Sequence, residues 1–239
     1  MKAMIFAAGL GSRLKPLTDT MPKALVPING KPLLEHIILK LKDAGFDAIV
    51  INTHHFGEQI RNFLESKANF DISVQISDET DGLLETGGGI KYAAHLLKGE
   101  QPFLVHNVDI ISDLDIGKFY QKALANQSLA TLLVNSRVSS RYLLFDENDH
   151  LKGWMNQKTG EIKSLVPNFN PKNYKKYAFG GIHVISPAIF QYMNENWEGK
   201  FSIIDFYLSI CDRVPIQAYI ANDIQLIDVG KLETLKVLE

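Results

Sequence analysis

Three observations predict an α/β fold for this chain, with a doubly wound, mostly parallel, Rossmann-like sheet, helices on both faces and an added lobe in the second half. The first half alternates short apolar segments with segments whose apolar residues recur at helical spacing. Glycine- and proline-rich loops separate these segments. The chain of 239 residues is also long enough to bury most of the surface that its unfolded form exposes. Strands and helices that alternate in this way form a parallel sheet with right-handed crossovers.

The elements of the first half follow from this pattern in order. Residues 2–7 form an apolar strand that enters a long loop ending near Gly30. Pro32 then stands in the first turn of a helix, and Gly45 ends it. Further strands are predicted at residues 48–52, 72–77 and 103–106. Further helices are predicted at residues 58–67 and from the glycines near residue 87 through residue 97.

Beyond Leu129 the pattern changes to short β-like segments with turn-rich connections. Strands are predicted at residues 130–134, 143–145, 151–154, 177–185, 214–220 and 225–228, and helices at 187–194, 203–213 and from about 232. The sequence has no internal repeat, low-complexity segment or linker. We therefore predict one domain over residues 1–239, in which residues 130–239 complete the sheet begun by residues 1–129 and wall a cleft.

Composition excludes several classes of protein. The chain is 46% hydrophobic and 22% charged with a net charge of -2, which gives no electrostatic footprint for nucleic-acid binding. Cys211 is the single cysteine, so an intrachain disulfide is impossible and a cysteine-based zinc site is implausible. The apolar run at residues 3–10 is too short for a membrane span. We expect a cytoplasmic protein that is not bound to a membrane, and the sequence indicates nothing about its oligomeric state.

A glycine loop follows the first strand and contains Ala8, Gly9, Gly11 and Ser12. Glycines let the backbone approach a phosphate group and direct N–H groups at it, although tight turns also use glycine for steric reasons. A dinucleotide-binding fingerprint would require a third glycine where Leu14 stands, and an uninterrupted helix. The sequence therefore disfavours a nicotinamide-dependent dehydrogenase.

Arg13 and Lys23 bracket the next part of the loop, which is stiffened by Pro16 and Pro22. Arg13 can clamp phosphate oxygens with two parallel hydrogen bonds, and Lys23 supplies a compact point charge. Considered alone, they could equally be solvated surface residues.

The sequence around Arg13 and Lys23 resembles the signature of the sugar-1-phosphate nucleotidyltransferases. The matching stretch consists of residues 7–14 together with Pro16-Leu17-Thr18, Pro22-Lys23, Leu25, Pro27 and Lys31-Pro32-Leu33. The resemblance implies that a nucleoside triphosphate and a sugar 1-phosphate are the substrates and that the glycine loop wraps the triphosphate. It also implies that Arg13 and Lys23 are catalytic, stabilising charge on the α-phosphate and on the departing pyrophosphate.

Two aspartates are candidate metal ligands. Asp109 follows the buried strand at 103–106, and Asp228 ends the strand at 225–228, so both should lie at the carboxyl edge of the sheet. Turn or cap aspartates are the ordinary alternative. Since Mg²⁺ prefers one or two carboxylates with phosphate oxygens and water, and the resembling family has metal aspartates at both positions, we expect Asp109 and Asp228 to hold Mg²⁺. Val108 and Lys231 replace a glycine and a threonine that are usual in the family, which leaves the shape of the sugar site open.

The same resemblance assigns the remaining candidate residues. The segment with Glu85, Gly87 and Gly88 is expected to bind the nucleotide base, although a crowded turn is the alternative. The sequence of this segment is similar to that of the family branch that uridylylates N-acetylmuramic acid 1-phosphate, so UTP is the expected nucleotide. The expected ligands of the sugar phosphate are Asn107, Gly180, Gly181 and Lys158, of which Lys158 is the nearest equivalent in order to a lysine common in the family.

Three alternatives remain open at this point. The first is a guanylyltransferase for mannose or heptose 1-phosphate, and the second is a cytidylyltransferase for a phosphoalcohol. The third is a nucleotide-sugar-binding regulator that has lost catalysis, which would have no need to keep both aspartates.

Overall fold

A ten-stranded mixed sheet forms the centre of the computed structural model, which describes residues 1–230 and 232–238. In chain order the strands are β1 (Lys2–Phe6), β2 (Pro27–Ile28), β3 (Lys31–Pro32), β4 (Ala48–Thr53), β5 (Ser73–Asp78), β6 (Phe103–Asn107), β7 (Ile110–Ser112), β8 (Ala130–Asn135), β9 (Arg141–Phe145), β10 (Leu151–Asn156), β11 (Ile162–Lys163), β12 (Lys175–Ile185), β13 (Ile216–Ile220) and β14 (Leu226–Asp228). The helices are α1 (Leu33–Asp43), α2 (Gly57–Ser66), α3 (Glu85–Tyr92), α4 (Ala94–Leu97), α5 (Ile116–Asn126), α6 (Ile203–Ile210) and α7 (Leu232–Leu238).

The strand order of the central sheet is β11-β10-β9-β12-β6-β1-β4-β5, with β8 paired to β12 and β13 paired to β8. The strands β6, β1, β4 and β5 are parallel to one another, as the alternation of strands and helices predicts. In the second half β12 runs antiparallel to β6, β8 and β9, so one long strand joins the two halves into a continuous sheet. The predicted α/β fold class, with a doubly wound sheet, is confirmed.

Each face of the sheet carries its own layer of helices. Because side chains alternate along a strand, Ala3 and Ile5 of β1 pack into one core and Met4 packs into the other. The first core is completed by α1, α2 and α5, and the second by α3, α4 and α6. Helices on both faces leave the carboxyl ends of the parallel strands as an open edge, where ligands bind in folds of this type.

Several elements differ from the sequence-based expectation. The predicted helix at 187–194 is a short 3-10 helix, Pro187–Gln191. The glycines near residue 87 lie inside α3, which already begins at Glu85. The pair β7 and β14 forms a separate two-stranded ribbon, of which only β14 was predicted. Among residues 1–230 and 232–238, every helix is too short or too polar to span a lipid bilayer.

Candidate active site

The carboxylates of Asp109 and Asp228 are brought together by the ribbon of β7 and β14. The two strands run antiparallel, and Asp228 lies opposite Ile110, the residue after Asp109. The N–H of Val229 donates a hydrogen bond to the carbonyl oxygen of Asp109 at 2.9 Å. Backbone pairing therefore places Asp228, at the end of β14, beside Asp109, in the turn before β7, although the two are far apart in the sequence.

Both predicted cations meet these carboxylates around Gly230. The Nζ of Lys23 forms an ion pair with Oδ2 of Asp109, and the side chain of Lys23 is largely buried. A Cβ atom built on Gly230 would lie 2.8 Å from a terminal nitrogen of Arg13, 2.8 Å from Oδ1 of Asp228 and 3.2 Å from Nζ of Lys23. Three charged groups thus surround a single backbone position that has no side chain of its own.

The loop after β1 holds Arg13 through a tightly packed turn. Gly11 has a φ of 63°, and a Cβ at this position would lie 2.7 Å from Cγ2 of Thr18. The hydroxyl of Thr18 also donates to the carbonyl oxygen of Gly11 at 2.9 Å. Gly11 is therefore required by the shape of the turn, and the turn presents Ser12 and Arg13 as exposed residues.

A first cavity of about 340 Å³ opens beside this charged group. It is lined by six of the predicted site residues, which are Ala8, Gly9, Lys23, Glu85, Asn107 and Asp109. Val108, predicted to add bulk near the sugar phosphate, also lines it, whereas Lys231 lies outside the described residues.

The floor of the first cavity contains a buried polar network that sequence reasoning missed. The N–H of Ala7 donates to Oδ1 of Asn52 at 2.8 Å, and Nδ2 of Asn52 donates to Oε1 of Glu79 at 2.7 Å. Oε2 of Glu79 accepts from the N–H of Leu84 at 3.2 Å. Burial raises the pKa of Glu79, and the bond from Asn52 opposes that shift. The network connects the glycine loop to the segment before α3. Its one signal in the sequence is Asn52, a polar residue within the buried strand β4.

Gly87 and Gly88 serve packing in this structure. A Cβ on Gly87 would lie 2.4 Å from the ring of Phe201, and a Cβ on Gly88 would lie 2.1 Å from the carbonyl oxygen of Gly199. Both N–H groups donate to the carbonyl oxygen of Phe201, at 2.9 and 3.2 Å. These two donors are therefore engaged within the protein, and neither glycine lines the first cavity.

The candidate sugar-phosphate residues do not all lie in one place. Asn107 lines the first cavity, and its Nδ2 would be 3.0 Å from a Cβ on Gly181. A Cβ on Gly180 would meet Leu133 and Leu226 instead, so Gly180 faces packed side chains. Lys158 lies on the exposed turn between β10 and β11, where it lines no part of the first cavity.

Arg137, which the sequence pattern did not single out, is a third cation near the carboxylates. Its guanidinium donates to Oδ1 of Asn135 at 3.1 Å and to the carbonyl oxygen of Phe179 at 2.9 Å. Burial lowers the pKa of Arg137, and the nearby negative charge of Asp228 opposes that shift. Nothing in the local sequence distinguishes this arginine from a surface residue, because its position depends on the fold of β8 and β12.

The paired carboxylates are the residues that could hold a metal ion. No group of three or more histidine, cysteine, aspartate and glutamate side chains in the described part of the chain has the geometry of a metal site. A site with only two carboxylates suits Mg²⁺, since this ion commonly completes its octahedral shell with phosphate oxygens and water. It does not suit a structural zinc ion, which requires four protein ligands.

A second cavity of about 660 Å³ adjoins the first and shares Glu85 and Ser202 with it. Its other walls come from β9, β10, β11, β12 and the start of α6. Glu85 has a φ of 59°, an uncommon conformation for a residue other than glycine, and it stands between the two cavities. A ligand with two linked parts could therefore occupy both.

Comparisons with known proteins bear on this site. The profile of the nucleotidyl transferase family matches residues 2–237. An N-acetylmuramate alpha-1-phosphate uridylyltransferase from Neisseria meningitidis is 48% identical over 123 residues, which are 52% of this chain and 53% of that protein, so the match spans about half of either chain. A D-glycero-alpha-D-manno-heptose 1-phosphate guanylyltransferase from Campylobacter jejuni is 30% identical over 234 residues, 96% of this chain and 95% of that protein.

The fold is also similar to solved structures. A structure from Bacillus anthracis superposes with a TM-score of 0.81 at 21% identity, covering 100% of this chain and 93% of the other. At this level of identity the similarity concerns the fold.

Proposed function

Because the chain belongs to the nucleotidyl transferase family, we propose that it joins a sugar 1-phosphate to a nucleoside triphosphate and releases pyrophosphate. The observation that carries this proposal is the meeting of Arg13, Lys23, Asp109 and Asp228 beside the first cavity. Two cations and two carboxylates at the open edge of a parallel sheet fit a bound triphosphate with its metal ion.

In the proposed reaction, a phosphate oxygen of the sugar 1-phosphate attacks the α-phosphorus of the nucleoside triphosphate. The bond from the α-phosphorus to the bridging oxygen of the β-phosphate breaks, and pyrophosphate leaves with the electron pair. No general base is required, because a phosphomonoester with a second pKa near 6 is already largely a dianion at neutral pH. The task of the protein is to place two anions in line and to offset their repulsion.

The side chains divide this task. Arg13 offers two parallel donors to phosphate oxygens, and Lys23 supplies positive charge beside Asp109. Asp109 and Asp228 would hold Mg²⁺, which when bound neutralises charge on the phosphates. Gly9, exposed and with no atom within 4 Å of its missing Cβ, leaves room for a phosphate group to approach the backbone.

We propose UTP and N-acetylmuramic acid 1-phosphate as the substrate pair. The support is the resemblance to uridylyltransferases of this sugar in Neisseria meningitidis and Caulobacter vibrioides, at 48% and 44% identity. Each alignment spans about half of the chains compared. With a nucleoside triphosphate as substrate, the cytoplasm is the expected site of the reaction, and the product would serve the recycling of cell-wall sugars.

A second candidate is guanylyl transfer to a heptose or mannose 1-phosphate. It is favoured by the heptose guanylyltransferase of Campylobacter jejuni, because that alignment runs through almost the entire length of both proteins. The higher identity over half the chain favours the first candidate, and the longer alignment favours the second.

A substrate screen separates the two. The purified protein is incubated with Mg²⁺ and each of four nucleoside triphosphates, paired in turn with N-acetylmuramic acid, mannose and heptose 1-phosphates. Pyrophosphate release is followed by coupling to a pyrophosphatase. We expect release with UTP and N-acetylmuramic acid 1-phosphate; release only with GTP would select the second candidate, and no release with any pair would contradict nucleotidyl transfer. Omitting Mg²⁺ should abolish release.

A further inference from the structure

The second cavity is large and polar, and every carboxylate that lines it has a lysine partner. Asp205 accepts a hydrogen bond from Lys163 at 2.8 Å, and Glu161 lies 3.8 Å from the same ammonium group. Glu85 lies 3.5 Å from Nζ of Lys200. The negative charges of the cavity wall are therefore offset locally, and Lys163 is held by its partners and by the ring of Trp154, 5.2 Å away.

Arg141 is the charged side chain of this wall that has no such partner. It lines the second cavity and is exposed, and no carboxylate of the described residues lies within 4.0 Å of its guanidinium. Its backbone is fixed, because β9 begins at Arg141 and pairs there with Asn156, and because its N–H donates to Oγ of Ser139 at 3.2 Å. A guanidinium that lies at a fixed strand end beside a cavity, and that has no carboxylate partner within the described residues, can bind an anionic group of a ligand.

The surroundings of Arg141 also suit an organic substituent. Tyr142, Trp154 and Phe179 contribute aromatic surface to the cavity, and Asn156 contributes an amide. Because the second cavity adjoins the first at Glu85 and Ser202, a sugar whose phosphate reaches Asp109 can extend its substituents toward Arg141.

We propose that Arg141 binds a carboxylate carried by the sugar, and so selects an acidic sugar 1-phosphate over its neutral counterpart. This inference rests on the proposed function. N-acetylmuramic acid differs from N-acetylglucosamine by a lactyl ether that ends in a carboxylate, which is the group that would meet the guanidinium. A heptose or mannose 1-phosphate has no carboxylate, so this contact also distinguishes the two candidate functions.

The test compares N-acetylmuramic acid 1-phosphate with N-acetylglucosamine 1-phosphate, with UTP and Mg²⁺ held constant. The wild-type protein is measured beside Arg141→Gln, Arg141→Lys and the control Arg213→Gln, which removes an exposed guanidinium outside both cavities. Thermal unfolding of each variant is followed, and the exposed position of Arg141 predicts an unchanged midpoint.

We expect Arg141→Gln to lower kcat/KM for the acidic sugar about 10-fold or more through KM, and to leave the neutral sugar unchanged. Arg141→Lys should recover part of the loss, and Arg213→Gln should behave as wild type. Equal use of both sugars by the wild-type protein, or an equal loss for both in Arg141→Gln, would overturn the inference. Wild-type transfer to neutral sugars alone would overturn it and the muramate assignment but leave nucleotidyl transfer intact; no transfer at all would refute the proposed function itself.

Discussion

The two glycine-rich segments at the edge of the sheet have similar sequences and different environments. The first follows β1, and Gly9 lies exposed on the wall of the first cavity, with nothing within 4 Å of the point that a Cβ would occupy. The second opens α3, and Gly87 and Gly88 are buried against Phe201 and Gly199. Glycine in the first segment leaves space for a ligand, whereas glycine in the second leaves space for the protein's own backbone and aromatic ring.

This difference shows that a run of glycines in the sequence does not reveal whether a ligand or another part of the protein packs against it. Both segments suggest phosphate or base binding when they are read from the sequence. Of the glycines compared, only Gly9 has open space at the position of a Cβ atom, and it lines a cavity together with Lys23 and Asp109. Substitutions in the two segments should therefore separate activity from stability, which gives four ways to test the comparison.

The largest expected effect is at Arg13, which the first segment carries. Arg13→Ala should lower kcat at least about 100-fold, the scale for losing one well-placed electrostatic group. Because the side chain is exposed, the free energy of unfolding should change by less than about 0.5 kcal/mol. Steady-state kinetics and urea unfolding measure the two quantities. Full activity of the variant would remove Arg13 from the mechanism.

In the second segment, Gly88→Ala should destabilise the fold by about 3 kcal/mol. The added Cβ would lie 2.1 Å from the carbonyl oxygen of Gly199, and a backbone atom cannot move aside cheaply. Urea unfolding measures the loss. The matched control is Gly82→Ala in the loop before α3, where nothing lies within 4 Å of the new atom. Equal stability of the two variants would show that the contact with residue 199 is relaxed.

In contrast to Gly88→Ala, Gly9→Ala should weaken substrate binding and leave the stability of the fold unchanged. There is open space for the methyl group, so the free energy of unfolding should change by less than about 0.5 kcal/mol. The methyl group would occupy part of the path of a phosphate toward the backbone, so we expect KM for the nucleoside triphosphate to rise about 10-fold, equivalent to about 1.4 kcal/mol. An unchanged KM would mean that the phosphates do not approach Gly9.

The smallest expected effect concerns Glu79, whose Oε1 would lie 2.8 Å from a Cβ on Gly89. Burial raises its pKa above the ordinary 4.5, so the folded state keeps the proton at pH values where the unfolded state has released it. The contribution of Glu79 to stability is therefore full below pH 4.5 and is lost as the pH rises through the folded-state pKa.

Glu79→Gln cannot titrate, so it should lack this decline. We expect the stability of the wild-type protein, relative to the variant, to fall as the pH rises above 4.5 through the folded-state pKa of Glu79, as measured by urea unfolding. A relative stability that rises with pH above 4.5 would contradict a raised pKa of Glu79.

Much of the fold and the charged part of the site could be predicted from the sequence. Strand and helix positions follow from apolar spacing. The four charged residues of the site stand in a recognisable motif or at the ends of predicted strands. They lie together in the structure, and they are Arg13, Lys23, Asp109 and Asp228. The proximity of Arg13, Lys23 and Asp109 was predictable because they follow β1 and β6, neighbouring parallel strands whose carboxyl ends share one edge. Asp228 reaches them by a different route, the antiparallel pairing of β14 with β7 outside the central sheet.

The rest depends on contacts between distant segments. Asn52 and Glu79 meet only because β4 and β5 pair in one register, and Phe201 reaches Gly87 from the loop that leads into α6. Arg137 is bound by Phe179, a residue of another strand. The sequence of each segment alone contains no trace of such partners, and for the same reason Lys158 could be matched by order but not by position.

The ribbon of β7 and β14 has a consequence for the folding of the protein during its synthesis. Asp109 is synthesised well before its partner Asp228, which arrives only with β14. Contacts between residues so distant in sequence form late and slowly during folding. A nascent chain, or one shortened before residue 226, would carry one carboxylate without the other, so the proposed magnesium site would be complete only once residue 228 has been made and β14 has paired with β7.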